Sequence, residues 1–282
     1  MQQRFLLILF IWLPSVQNKV YPNSIDIRTN VKDRQWNGLM NKDTFGGWLV
    51  RIRSGGANTI SCCGSYISPL LVLTSANCIT PFRYQLEGTN VMATAYTEDE
   101  EYSYSLVETI YTPDYFKPQT TNLDIAVVRL NIPIKGKMVE FIQLASRMPR
   151  FGQTLTTFGW GFNSLEVQPA TDEPRQAKVQ NMNRIECRDM FKETFVSKTV
   201  MCVKMFQDRL KCLYDGGSPL VFNNQLVGIA SVGSTCANTS VPGIYTAIPI
   251  LRSYIEKIQM GVRTKTLSRR KRNALSKTSE YV

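Results

Sequence analysis

Short apolar segments rich in Val, Ile, Leu, Tyr and Thr recur along most of this chain, punctuated by Gly, Pro and Asn. Residues 48–52, 66–73, 125–130, 154–158, 226–230 and 243–247 are examples. Several alternate apolar and polar positions, the period of a strand with one buried face. Segments this short and this frequent predict an all-β sandwich or barrel. The helical spacing of three and four appears once with force, in Leu251, Tyr254, Ile255 and Ile258, which predicts a C-terminal helix over 248–260. A second short helix is predicted over 186–195. No internal repeat interrupts the pattern. After Gly261 the chain is polar and basic without apolar period, and reads as a flexible tail.

The tail carries much of the charge. The 282 residues have a formal net charge of +11, and residues 262–282 hold seven Lys/Arg against the single acid Glu280. At the other end, Arg4 precedes the apolar run 5–13, closed by Pro14. That run is too short for a bilayer, which takes about 20 residues, and has the form of an export signal over 1–17. Export places Cys62, Cys63, Cys78, Cys187, Cys202, Cys212 and Cys236 in an oxidising compartment, with one thiol in excess of three pairs. Their spacing holds no C-x-x-C pair and there is no histidine, so no zinc site and no other cofactor is implied.

Three segments carry a more specific message. Cys62-Cys-Gly-Ser-Tyr-Ile-Ser-Pro-Leu-Leu-Val-Leu-Thr-Ser-Ala-Asn-Cys78 resembles C-G-G-S-L-I-x-x-x-x-V-L-T-A-A-H-C. Asn122-Leu-Asp-Ile-Ala-Val-Val-Arg-Leu130 resembles N-x-D-I-A-L-L-x-L, and Cys212-Leu-Tyr-Asp-Gly-Gly-Ser-Pro-Leu220 resembles C-x-G-D-S-G-G-P-L. Gly159-Trp-Gly161, Gly228-Ile-Ala-Ser-Val-Gly233 and Pro242-Gly-Ile-Tyr-Thr246 add support. In this order the motifs are those of trypsin-like serine proteases, and the resemblance covers residues 35–261. It implies two packed six-stranded antiparallel β-barrels followed by a C-terminal α-helix, with the site in the cleft between them. The segment 18–34 then reads as an N-terminal arm, a degenerate propeptide, and 262–282 as the basic tail.

The departures from the family fall on its chemistry. Asn77 stands where the resemblance puts the base histidine, and a neutral amide cannot relay a proton. Gly216 stands at the nucleophile serine and has no side chain. Asp124 stands at the orienting aspartate and is retained. Ser218, two places beyond the nucleophile position, reads as a turn serine bonded to backbone. Tyr214 replaces a glycine whose N–H belongs to the family's oxyanion hole, and Leu210 stands at the base of the specificity pocket in place of an aspartate. Val232 stands where the pocket wall often has tryptophan.

By the same resemblance Cys62 pairs with Cys78, Cys187 with Cys202 and Cys212 with Cys236, while Leu155 and Phe222 occupy both positions of a further family bridge. Cys63 falls on a family glycine and is the odd thiol, either buried and inert or bridged to another chain. Family members are cut after a basic residue and the new amine pairs with an aspartate, here Asp215. The corresponding bond is Arg34–Gln35, and the segment is either cut there or left as a surface arm. Arg269-Arg-Lys-Arg272 resembles a processing site ending at Arg272, with an anionic-surface contact or a solvated tail as the other readings. Asn238-Thr-Ser240 is an N-glycosylation sequon.

These positions lead to the expectation of a secreted, glycosylated homologue that is no enzyme and acts by protein binding. It would serve as regulatory cofactor, decoy or carrier in an extracellular fluid such as insect haemolymph or seminal fluid. Its partners would be other secreted proteins, active proteases among them, and anionic glycans through the tail, with no nucleic acid and no membrane span. Two other readings remain open: a basic glycan- or microbe-binding protein resembling neutrophil azurocidin, and a protease with an unconventional base, Lys211 or Lys204.

Overall fold

The computed structural model describes residues 47–54, 61–83, 91–95, 104–134, 141–159, 174–191, 196–204, 215–231 and 242–267. By internal contacts the chain divides into Met1–Asn37 and Gly38–Val282, and every described residue belongs to the second unit. The first six strands are β1 (Leu49–Ser54), β2 (Ser61–Ser68), β3 (Leu71–Thr74), β4 (Val91–Ala95), β5 (Tyr104–Tyr111) and β6 (Ala126–Leu130). They close into an antiparallel barrel in the order β1-β2-β3-β6-β5-β4, with β4 returning to β1. Closure leaves no unpaired edge for another chain to join.

The remaining strands are β7 (Gln143–Leu144), β8 (Thr154–Gly159), β9 (Arg175–Asn181), β10 (Val200–Lys204), β11 (Pro219–Phe222), β12 (Gln225–Ala230) and β13 (Gly243–Ala247). Their sheet runs β11-β8-β9-β10-β13-β12-β7, and β11 also pairs with β12. That last pairing closes a second ring of six strands. The short β7 lies parallel to β12 where β13 stops. The second barrel is filled by Leu155, Val179, Met201, Val203, Leu220, Val227 and Tyr245. Leu220 lies opposite Thr157 and Val221 opposite Thr156, so the register brings 155 and 222 next in line. Phe222 packs on the cluster that holds Leu155, so apolar contact occupies the place of the missing bridge.

The segment 66–73 is not one strand. Pro69 lacks the N–H that a ladder needs. The chain reverses there, and β2 pairs back on β3 with Ser65 opposite Leu73. Tyr66 Oη secures the reversal by donating to the Pro69 carbonyl at 2.5 Å.

Three helices are present among the described residues: α1 (Ala76–Arg83), α2 (Arg184–Met190) and α3 (Ile248–Arg263). The helix α2 starts earlier than its sequence pattern suggested, because Asn183 caps it by accepting the Ile185 N–H at 2.8 Å, and it ends earlier, where Phe191 turns to an extended backbone. Pro249 opens α3, where its fixed φ and missing N–H are harmless. Ile248, Leu251, Ile255, Ile258 and Val262 form its buried stripe. The expected flexible tail begins too early by several residues. Residues 262 and 263 complete α3, Lys265 takes a left-handed φ of 59°, and Leu267 N–H returns to the Gly261 carbonyl at 3.1 Å. Arg129 of β6 then donates to the Leu267 carbonyl at 3.1 Å. Residues from 268 onward, with Arg272, lie outside the described residues.

Among the described residues, two disulfides pin helices to strands. Cys62–Cys78 joins β2 to α1, and Cys187–Cys202 joins α2 to β10 across 15 residues of sequence. Closing a loop of that size restricts the unfolded chain by about 3 kcal/mol. The variant Cys187→Ser/Cys202→Ser is therefore expected to lose stability of that order. Urea unfolding at constant slope would measure it, and an unchanged midpoint would refute it.

Candidate functional site

Asp124 is fully buried at the entrance to β6 and accepts donors from the segment after β3 and from the segment after β12. Ser75 shares its hydroxyl proton between Oδ1 at 2.9 Å and Oδ2 at 3.0 Å. The Asn77 backbone N–H donates to Oδ1 at 2.8 Å, and Ser231, just after β12, donates to Oδ2 at 2.5 Å. Thr246 of β13 holds the Asp124 main-chain carbonyl at 2.8 Å. A buried carboxylate is tolerated only when its lone pairs are occupied in this way. Ser75 does a second task. Its oxygen accepts the Cys78 N–H at 3.2 Å, the N-cap bond that starts α1.

Asn77, half-buried on the first turn of α1, points its carboxamide at the backbone of residues 119 and 120. Nδ2 donates to the Thr120 carbonyl at 2.8 Å, and Oδ1 accepts the Gln119 N–H at 2.6 Å. Gln119 takes a left-handed φ of 63°, unusual for a residue with a side chain. The amide's two polar ends match the donor and the acceptor that this conformation turns toward it.

Gly216 opens the turn leading into β11. Its carbonyl accepts the Cys63 N–H at 2.9 Å, and the Gly217 N–H donates to Ala230 of β12 at 2.9 Å. A Cβ built on Gly216 would stand 2.8 Å from Cys78 Cβ and 2.9 Å from its Sγ. Those atoms belong to a disulfide and cannot swing aside. Gly216→Ser is expected to destabilise the fold by about 1–3 kcal/mol through overpacking. Thermal unfolding checks this, and a melting temperature equal to wild type would show that the turn yields freely.

Known proteins resemble this chain in sequence and in fold. Residues 36–255 match the family model described as Trypsin. Seminase of Drosophila melanogaster is 32% identical over 76% of this chain and 77% of its own length. This chain belongs to the trypsin family. Among solved structures, neuropsin, described as a serine protease expressed in mouse brain, has a TM-score of 0.64 at 22% identity, covering 78% of this chain and 96% of that one. A scabies mite protein described as an inactivated protease paralogue has a TM-score of 0.63 at 22% identity, covering 76% and 93%. At that identity the two structures bear on fold alone, which is the trypsin-like pair of barrels with a C-terminal helix.

Family membership corrects one expectation. Asn77 and Gly216 suggested a chain that is no enzyme. The relatives overturn that inference, because they carry the names of proteases: seminase, and trypsins from two flies at 30% and 31% identity. What the two positions exclude is narrower, namely a serine–histidine relay between residues 77 and 216.

The other residues singled out in the sequence lie as follows. Ser218 is fully buried, with its oxygen accepting the Asp215 N–H at 3.2 Å and its own N–H returning to the Asp215 carbonyl at 2.8 Å. Asp215 is 2% exposed, and the Cys63 thiol donates toward its Oδ2 at 3.5 Å. Cys63 itself is buried and forms no disulfide. Nearby, burial pushes the Tyr245 phenol well above its ordinary pKa. The hydrogen bond with Thr157 opposes the shift, and the charge of Asp215 adds to it. The phenol therefore stays protonated and keeps donating to Thr157 Oγ1 at 3.1 Å. Lys204 sits on the surface, 3.6 Å from Glu186 of α2. Tyr214, Leu210, Lys211, Val232, the Cys212 and Cys236 pair, Asn238 and Arg34–Gln35 lie outside the described residues.

The sequence did not disclose Ser75 and Ser231 as the holders of Asp124. Ser75 had a signal, since it stands on an alanine of the family pattern one residue before Ala76. Ser231 had none, because its partner lies 107 residues away in sequence.

Proposed function

We propose that this trypsin-family protein is exported and acts by binding other secreted proteins, as regulatory cofactor, decoy or carrier. The observation that carries the reading is the Asn77 carboxamide. Both of its ends are engaged by the backbone of residues 119 and 120, so the position shapes a surface. The apolar run at 5–13 and the disulfides Cys62–Cys78 and Cys187–Cys202 support export, since such bonds persist in oxidising compartments. No helix among the described residues is long and apolar enough to cross a membrane. Fly relatives direct the sampling to insect fluids. The test is capture from haemolymph and seminal fluid on the immobilised protein, then titration of each captured protein in purified form. The expected result is saturable binding with Kd below about 1 μM. Absence of any saturable partner would overturn the reading.

A further inference from the structure

The chain after α3 ends in a clasp. Thr264 N–H and hydroxyl both return to the Met260 carbonyl, at 2.8 and 2.9 Å, and Lys265 N–H returns to the Val262 carbonyl at 3.3 Å. Leu267 closes it. Its N–H donates to the Gly261 carbonyl, its side chain lies against Gly261, and Arg129 of β6 holds its carbonyl at 3.1 Å. Arg129 is braced in turn by Glu108 of β5 at 3.1 Å. Arg263 and Lys265 therefore carry exposed side chains on a backbone that is helical at one and left-handed at the other. A protease takes its substrate extended, so a cut at either waits on local opening.

The basic run starts two residues past the clasp. Arg269-Arg-Lys-Arg272 is the one place in the 282 residues where Lys and Arg stand side by side. From 268 to 282 the apolar residues are Ala274, Leu275, Tyr281 and Val282, which make no helical or strand stripe.

We propose that the chain is matured by hydrolysis of the Arg272–Asn273 bond, and that the Leu267 clasp sets the boundary beyond which its C-terminus is cut. Water adds across that peptide bond, leaving a carboxylate on Arg272 and an amine on Asn273. The enzyme that fits is an endoprotease of the export route with carboxylate-lined subsites, because four adjacent cations are matched by such subsites. Charge alone does not choose the bond, since Arg263 and Lys265 are basic too. The clasp withholds those two. Residues 268–272 span about 17 Å when extended, so all four cations can enter a cleft while Leu267 stays bound. The proposal uses the export part of the function proposed above and none of its binding part.

The test incubates the full chain with a subtilisin-like endoprotease specific for paired basic residues and, separately, with exogenous trypsin, and reads intact mass. The first enzyme is expected to cut after Arg272, and Arg269→Ala and Arg272→Ala are each expected to slow it at least about tenfold. Trypsin should cut within 269–272 at least about tenfold faster than after Arg263 or Lys265. Arg129→Met should remove that protection. Gly261→Ala should remove it by another route, since its Cβ would stand 2.6 Å from Leu267 Cγ and Cδ1, and thermal melts report whether each variant is folded. Equal cutting on both sides of Leu267, or protection unchanged in both variants, would overturn the boundary. Protein secreted from insect cells is expected to lack residues 273–282, and their retention would overturn the maturation. Cleavage of the purified chain by the paired-basic enzyme, with no secretion from cells, would support the site and sink export.

Discussion

Gly217→Ala is expected to leave little or no folded protein. Gly217 has φ of 85°, where an L side chain costs about 1–2 kcal/mol by itself. Space is the larger obstacle. A Cβ there would stand 2.2 Å from the Cys63 carbonyl oxygen and 2.3 Å from Thr74 Oγ1. Neither atom can retreat cheaply. Thr74 donates to that same carbonyl at 2.6 Å, and Cys63 N–H holds the Gly216 carbonyl at 2.9 Å. Moving the turn instead breaks the bond from Gly217 N–H to Ala230, a tie to β12. The combined cost, about 4 kcal/mol or more, approaches the whole stability of an ordinary domain. Gly152 supplies the control. It has φ of 77° and nothing within 4 Å of a built Cβ, so Gly152→Ala should cost only about 1 kcal/mol. Soluble yield and urea midpoints of the two variants would separate strain from collision. Equal midpoints would mean that the close approach at Gly217 is not rigid.

The strands were legible where local pattern and final environment agree. Residues 154–159 and 243–247 alternate or run apolar, and they form β8 and β13 with little change of boundary. Legibility failed where a distant residue decides. The helix α1 follows directly on β3 and contains Pro81, so its local sequence argues against it. It forms because Ser75 caps it while bonded to Asp124, 49 residues away, and because Cys78 is tied to Cys62. The same holds at the site. Motifs gave the expectation that Asn77, Asp124 and Gly216 stand at the family's triad positions. What Asn77 does instead was not legible, because its partner exists only once Gln119 has adopted a left-handed backbone. The filling of position 216 by a disulfide was equally hidden, since Cys78 lies far off in sequence. The early end assigned to the domain at Gly261 has a similar cause. The cap that extends order to Leu267 depends on Arg129 of the first barrel.

Asp124→Ala should be nearly as damaging as the change at Gly217, for an electrostatic reason. Removing the carboxylate leaves the Ser75 hydroxyl, the Asn77 N–H and the Ser231 hydroxyl without their acceptor. Each orphaned buried donor costs about 1–3 kcal/mol, and hydrogen bonds to a charged group lie at the upper end. Against this stands relief of the desolvation carried by a buried charge. Loss of one side of such a buried cluster typically nets about 3–5 kcal/mol, which is the expected destabilisation. Asp124→Asn sharpens the argument because it keeps the shape. Its oxygen can still accept from Asn77 N–H, and its Nδ2 can donate to Ser231 if that hydroxyl rotates. Ser75 then loses half of its shared bond, so a cost of about 1–2 kcal/mol is expected. The order of stability should be wild type, Asp124→Asn, Asp124→Ala, read from urea midpoints. Ser75→Ala completes a cycle. If Ser75 and Asp124 act as one unit, its effect should shrink in the Asp124→Ala background by about 0.5–3 kcal/mol. Because Ser231 and Thr246 reach Asp124 from the second barrel and Ser75 from the element after the first, weakening should appear in both barrels together. Amide exchange in β3 and β13 would show it, and an effect confined to one of them would refute the idea that Asp124 fastens the two halves.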